Sequence, residues 1–166
     1  MRMLFLVGLL ASPALADVPA GYDSTQVASC VKKAEAAGQD ADSCIGVAST
    51  ACMAKPGGDT TVGMIDCLAA ESGDWDRLMN DWYKQVMHQA KAADEEAKTY
   101  DSAAEAVAPM LKKAQQAWVS YRDASCMFQA ERFQDGTAGG PAAATCLMEL
   151  TGTQALRLRD LMDEQP

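Results

Sequence analysis

The chain has 166 residues, with 14 Lys and Arg against 23 Asp and Glu and a formal net charge of -9. That length leaves room for one domain and no second large core, and 49% hydrophobic with 22% charged residues excludes a disordered, collagen-like or polytopic membrane chain. The acidic balance disfavours a nucleic-acid binder, whose affinity rests on Lys and Arg neutralising phosphates, and equally disfavours adsorption to anionic lipid.

Arg2, the apolar run Met3 to Leu10 and the small-x-small tripeptide Ala14-Leu15-Ala16 ahead of Asp17 form the pattern of a cleaved signal peptide. The run is too short to span a bilayer. Residues 1–16 are therefore expected to be removed after Ala16, leaving a single domain over 17–166 with no integral membrane segment, periplasmic or secreted. Losing Arg2 makes the remaining chain one unit more acidic than -9. No Cys stands just after the cleavage position, so a lipid-modified N-terminus is not expected.

Export sets the reading of Cys30, Cys44, Cys52, Cys67, Cys126 and Cys146. An even number in an oxidising compartment points to disulfides. Local order suggests Cys30 with Cys44, Cys52 with Cys67 and Cys126 with Cys146, each closing a loop of about 15 to 20 residues and each worth roughly 3 kcal/mol. A zinc site lacks its ligands, because there is no C-x-x-C pair and His88 is the only histidine.

The hydrophobic spacing is helical nearly throughout, and no strand pattern stands out. A short helix is predicted over Ser24 to Ala37, ended near Gly38, and another over Asp42 to Ala54, ended by Pro56-Gly57-Gly58. A long helix follows over Thr60 to Lys98, with Met64, Leu68, Trp75, Met79, Trp82 and Val86 on one face and with Gly63 and Gly73 as weak points. In the next helix Leu111, Ala114, Trp118, Tyr121, Ser125 and Phe128 alternate steps of three and four, the spacing of a helix-pairing seam. Pro109 is either its first-turn proline or a kink in a helix opened by Asp101-Ser102; the sequence permits both. After a loop at Asp135-Gly136 and Gly139-Gly140, Pro141 is expected to open a last helix carrying Leu147, Leu150, Leu158 and Leu161. This last pair should run antiparallel, which puts Cys126 and Cys146 at comparable heights. The expected fold is all-α: a small disulfide-stapled bundle of four to five helices, with a long central helix and a C-terminal antiparallel pair.

Glu71 falls between Leu68 and Trp75 on the apolar stripe. A buried carboxylate needs a partner, and Arg122, one turn after Trp118, is expected to supply an ion pair that fixes helix register. Catalysis is not expected. No G-x-S-x-G sequence accompanies His88, and Asp94-Glu95-Glu96 between Lys91 and Lys98 reads as a solvated helix face. Most of the Met residues sit at apolar helical positions, where they pack, and there is no nucleotide-binding Gly-rich motif. No cofactor or metal is expected.

Two stretches carry a resemblance. Trp75-Asp76-Arg77-Leu78-Met79-Asn80-Asp81-Trp82-Tyr83 resembles W-D-x-x-L-N-x-x-Y, and the run from Ala114 to Cys126 resembles A-Q-x-A-W-x-x-Y-R-D-x-x-C, both of the lysozyme inhibitor LprI-like domain family. Gly139-Gly140, then Cys146-Leu147 and Thr151, fit the family's downstream G-G and C-L-x-x-x-T pattern, so the resemblance spans roughly Cys30 to Leu161. It implies a small helical, disulfide-bonded exported domain and, for at least one branch, inhibition of lysozyme. The signature residues Trp75, Asn80, Tyr83, Trp118, Tyr121, Arg122 and Asp123 read as structural. Gln154 departs from the Arg the family often has there, and the Cys of the lipoprotein branch is absent.

Two functions fit. In one, the protein blocks a basic lysozyme and so protects peptidoglycan; its acidity steers it to that partner, and the Gly-rich loops around Asp59 (Lys55 to Thr60) and Asp135 (Gln134 to Pro141) suit insertion into the sugar cleft. In the alternative it is a periplasmic envelope interaction or stress module with another protein partner, and its acidity serves solubility alone.

Overall fold

The computed structural model describes residues 19–100 and 103–164. The signal-peptide segment and the Asp101-Ser102 helix start lie outside these residues. Five helices are formed: α1 (Gln26–Ala36), α2 (Val47–Met53), α3 (Thr61–Thr99), α4 (Val107–Glu131) and α5 (Gly139–Asp163). No strand occurs among the described residues.

The second predicted helix is divided. Asp42–Cys44 form a 3-10 turn, Ile45 is extended, and Gly46 at φ 92° turns the chain into α2 in a left-handed conformation that other residues resist. The long helix has the predicted extent to within a residue at each end: Thr60 accepts a hydrogen bond from Gly63 N at 3.0 Å as its N-cap, and 39 residues give it a length of about 58 Å. Pro109 is the third residue of α4, a first-turn proline and not a kink. α5 opens at Gly139, so Gly139 and Gly140 belong to the helix and Pro141 lies in its first turn.

The architecture is set by the direction of α5 along α3. Gly140 lies against Ile65, where a β-carbon would come within 2.7 Å of Cδ1. Farther along, Gly152 lies against Trp75, and Gln89 Nε2 donates to the carbonyl of Met162 at 3.3 Å. These contacts advance together, so α3 and α5 run parallel. α4 returns antiparallel to both: Gln154 Nε2 donates to Gln115 Oε1 at 2.9 Å, and Gln115 in turn reaches Met79 Sδ at 3.5 Å. The antiparallel α4–α5 pair is the one expected from the sequence.

Val27 and Val31 of α1, Leu68, Trp75 and Met79 of α3, and Met148, Ala155, Leu156 and Leu158 of α5 form the core. Trp82 and Val86 continue the predicted α3 stripe. α4 adds less: Leu111 and Trp118 pack on the core, and Cys126 is buried, but Tyr121 and Phe128 of the predicted seam are 60% and 65% exposed. The seam thus divides between an inward face at Leu111, Trp118 and Ser125 and an outward one at Ala114, Tyr121 and Phe128. Leu161, placed with the apolar residues of α5, is also at the surface.

Three disulfides staple the bundle, Cys30–Cys44, Cys52–Cys67 and Cys126–Cys146, the pairs that local order suggests. The first two tie α1 and α2 into the long helix's neighbourhood, and the third clips α4 to α5.

The expected Glu71–Arg122 ion pair does not form. Glu71 is fully buried, and its carboxylate accepts three hydrogen bonds: from Gly46 N and Ser49 N, each at 2.6 Å, and from Trp75 Nε1 at 3.0 Å. The first two donors are free backbone amides at the start of α2, whose own N-cap Gly46 has no side chain. A carboxylate there satisfies orphan N–H groups and meets the positive end of the helix dipole. Arg122 instead pairs with its neighbour Asp123 at 2.8 Å and lies over Trp118, 5.1 Å from the ring centroid. Asp94, read from the sequence as part of a solvated face, does for α4 what Glu71 does for α2. Its two oxygens accept from Val107 N at 2.6 Å and Ala108 N at 3.0 Å, where Ala106 supplies no side-chain cap. Glu95 pairs with Lys98 on the exposed side.

Candidate partner-binding surface

Parallel packing of α3 and α5 has a direct consequence for the two Gly-rich loops. Residues 54–60 lead into α3 and residues 132–138 lead into α5, so both loops lie at the same end of the bundle, joined by the Ile65–Gly140 contact. Asp59 and Asp135, distant in sequence, are brought to that end, and both are exposed. Exposed Asp66 and Glu131 stand nearby on the first turns of α3 and the last turn of α4, against the cations Lys55 and Arg132. Exposed Val62 and Phe133 add apolar surface. Beside them a groove of ≈ 340 Å³ runs between α3 and α5, lined by Ile65, Ala69, Ser72, Ala143, Ala144 and Leu147. The end therefore presents carboxylates around an apolar cleft.

The 132–138 loop is held in an unusual conformation. Gln134 and Asp135 both take positive φ, 46° and 64°, a left-handed arrangement that costs non-glycine residues about 1 to 2 kcal/mol each. Hydrogen bonds from Gln134 N to the Glu131 carbonyl, from Gly136 N to that of Phe133, and from Gly139 N to that of Gly136 hold the turn. Consecutive strained residues at an exposed tip are a feature of binding loops. Nothing in the spacing of the sequence marks Gln134 for this conformation.

The signature residues separate into three environments. Trp75 is fully buried against Glu71. Asn80, Tyr83 and Arg122, joined by Asp76 and Gln115, line a shallow groove of ≈ 320 Å³ between α3 and α4. There Asn80 Nδ2 donates to the Asp76 carbonyl at 2.8 Å and to its carboxylate at 2.9 Å. Trp118 supports the Arg122 guanidinium from below, Asp123 holds it from the side, and Tyr121 faces outward.

The sequence carries no signal for the role of Tyr22. Its hydroxyl donates to the buried Asp74 at 2.6 Å, and Asp74 also pairs with Arg77. Burial, and then the hydrogen bond to Asp74, push the Tyr22 phenol well above its ordinary range. This triad ties the segment before α1 to α3. His88 is exposed, beside Lys84, Gln85 and Gln89, and among the described residues no group of three or more His, Cys, Asp or Glu is placed to hold a metal ion. No helix among them is long and apolar enough to cross a membrane.

A family model described as Lysozyme inhibitor LprI matches residues 52–158, which begins at Cys52 and takes in α3, α4 and most of α5. An uncharacterized protein of Rhizobium meliloti (strain 1021) is 33% identical over 88 residues, which cover 53% of this chain and 63% of that relative. The chain thus matches less than two thirds of the relative's length. No solved structure matches significantly.

Proposed function

Because the chain belongs to the lysozyme inhibitor LprI family, we propose that it is an exported, non-catalytic inhibitor that shields peptidoglycan by docking the loop end of its bundle onto a basic lysozyme. The observation that carries this reading is the convergence of residues 54–60 and 132–138, with Asp59 and Asp135, at one acidic end beside an apolar groove. Carboxylates on protruding loops suit the hydrogen-bond donors of a sugar-binding cleft, and Val62 and Phe133 supply apolar contact at its rim. Net negative charge steers such a domain toward a cationic enzyme and raises the association rate more than the final affinity. Three disulfides suit the oxidising compartment reached after cleavage following Ala16. Inhibition by occlusion requires no chemical step from this chain, only a rigid tip, and the Cys126–Cys146 clip about two turns behind the 132–138 loop supplies rigidity.

The test is cell-wall lysis by a panel of lysozymes with the oxidised 17–166 protein titrated in, at low and near-physiological salt, against an acidic control protein of unrelated fold. Saturable inhibition above the control, weakened by Asp59→Asn together with Asp135→Asn, is the expected result. Absence of inhibition for every lysozyme class with all disulfides intact overturns the proposal and directs the search to another envelope partner.

A further inference from the structure

The Cys30–Cys44 disulfide differs from the other two in its surroundings. Both of its cysteines line a groove of ≈ 540 Å³ between α1 and the 3-10 turn, with Gln26, Ser29, Lys33, Gln39 and Ser43 around them. Cys30 is partly exposed there, and Cys44 is fully buried. By contrast Cys52 and Cys67 are both 2% exposed, which closes their bond to a reagent. Cys146 is partly exposed, but it is bonded to buried Cys126 between two helices of 25 residues each. The elements joined by Cys30–Cys44 are far smaller: α1 has 11 residues and no side-chain cap at its start, and the turn that carries Cys44 has three. Val27, Val31 and Ala34 hold α1 on the core, and Glu35 reaches Arg159 of α5 only at 3.8 Å. Short elements with few buried contacts open locally at lower free energy than the rest of a domain. They also precede residue 52, where the family match begins, whereas the other two disulfides fall within that match.

We propose that the Cys30–Cys44 bond is a thiol–disulfide exchange site, reduced by a dithiol that enters this groove while Cys52–Cys67 and Cys126–Cys146 survive. A thiolate of the dithiol bonds to Cys30 Sγ, on the more exposed of the two cysteines, as the Cys30–Cys44 bond breaks. The electron pair of that bond leaves on Cys44 Sγ, which takes up a proton. The second thiol then gives up its proton and displaces Cys30 Sγ from the mixed disulfide, and Cys30 is protonated in turn. The dithiol ends as its own disulfide and both cysteines as thiols. Among the described residues that line the groove, Lys33 alone is charged, and it stands one turn from Cys30. Its ammonium group favours the approach of an anionic thiolate. With the bond open, α1 frays from the core and uncovers Val27 and Val31, while α2 to α5 stay stapled. The first helix is thereby a redox-released flap on a bundle that remains folded. The inference does not rest on lysozyme binding.

Oxidised 17–166 protein is titrated with dithiothreitol under native conditions, quenched with acid and alkylated, and the labelled cysteines are located by peptide mass spectrometry. Cys30 and Cys44 should be labelled first and together, with Cys52, Cys67, Cys126 and Cys146 still protected. In the same samples trypsin should cut faster after Lys32 and Lys33, both within α1, while circular dichroism keeps most of its helical signal. Entry through the groove is read with glutathione, a more anionic thiol than β-mercaptoethanol. Lys33→Glu should slow reduction of Cys30–Cys44 by glutathione more than by β-mercaptoethanol, with the fold intact because Lys33 is exposed. Labelling of all six cysteines in step, earlier labelling of Cys126 and Cys146, or reduction of Cys30–Cys44 without faster cleavage in α1 overturns the proposal. So does a Lys33→Glu variant that glutathione reduces as fast as the parent, since the groove would then not be the route to the bond.

Discussion

Replacing Glu71 by Gln changes one oxygen to an NH2 group and removes a charge at a fully buried site. The carboxylate accepts from Gly46 N, Ser49 N and Trp75 Nε1 and has no cationic partner among its hydrogen bonds. Oε1 serves Gly46 and Trp75, so the amide that keeps its oxygen there turns its NH2 toward Ser49 N–H, donor against donor. Bonds to a charged acceptor contribute about 1.5 to 3 kcal/mol each, and a buried donor left unpaired costs about 1 to 3 kcal/mol. One bond is lost, two become neutral, and the negative charge at the start of α2 disappears. The expected loss is about 2 to 4 kcal/mol, which lowers Tm by roughly 5 to 15 °C for a domain of this size. Arg122→Lys, which touches a sequence neighbour and a ring face, should cost less than about 1 kcal/mol. Thermal and urea unfolding of the oxidised protein, followed by circular dichroism, measure both. Glu71→Gln within about 0.5 kcal/mol of the parent would refute the capping account, and strong coupling between the two substitutions in a double-mutant cycle would restore the ion pair argued from spacing.

Asp94→Ala removes both side-chain acceptors at the start of α4 and should cost about 1 kcal/mol, with faster hydrogen exchange confined to the amides of Val107 and Ala108. Gln134→Gly relieves a residue at φ 46° and should raise stability by up to about 1 kcal/mol. If stability falls instead, the side chain holds the loop. Tyr22 carries a phenol raised above its free value of 10.0. Its contribution is therefore complete below that pH, where the hydroxyl is protonated in both states, and declines as pH rises from there toward the folded value. Unfolding at pH 8 to 11 should show the decline in the parent and a flatter profile in Tyr22→Phe; parallel profiles would exclude a role for this hydroxyl. Replacing Cys126 and Cys146 together by Ser should cost about 2 to 5 kcal/mol and loosen the 132–138 loop.

What the sequence discloses is what local physics decides. α3 has strong helix formers and a continuous apolar stripe, so its extent can be read to within a residue, and the three disulfides follow from nearest-neighbour order because each joins adjacent elements. The parallel run of α3 and α5 is not local. It follows from α4 returning antiparallel between them, and only then do Asp59 and Asp135 reach the same end. Glu71 illustrates the same limit: the spacing shows correctly that a carboxylate is buried, but the partner is backbone, and free amides at the start of a short helix leave no mark on side-chain identity. Asp94 looks like any exposed acid for that reason. The α4 seam shows the reverse difficulty, since a pairing pattern states that a helix packs without stating which side of the stripe is covered.

These assignments divide the acidity of the chain between two kinds of work. Glu71 and Asp94 terminate helices, and Asp74 holds Tyr22 and Arg77, so their charges are spent on short contacts to fixed donors. Held inside the fold or bonded at close range, they make no direct contact with a partner; Arg77 offsets Asp74, while Glu71 and Asp94, bonded to neutral N–H groups, remain part of the general field. Steering falls to the exposed carboxylates, and at the loop end those are Asp59, Asp66, Glu131 and Asp135 against Lys55 and Arg132. The two populations can therefore be separated by experiment. Neutralising Asp59 and Asp135 should slow association with a basic partner and flatten its salt dependence while leaving unfolding nearly unchanged, whereas neutralising Glu71 should do the opposite. If Glu71→Gln altered the salt dependence of binding as strongly as the loop substitutions do, the net charge would be acting as a whole and the loop end would have no special claim to the partner.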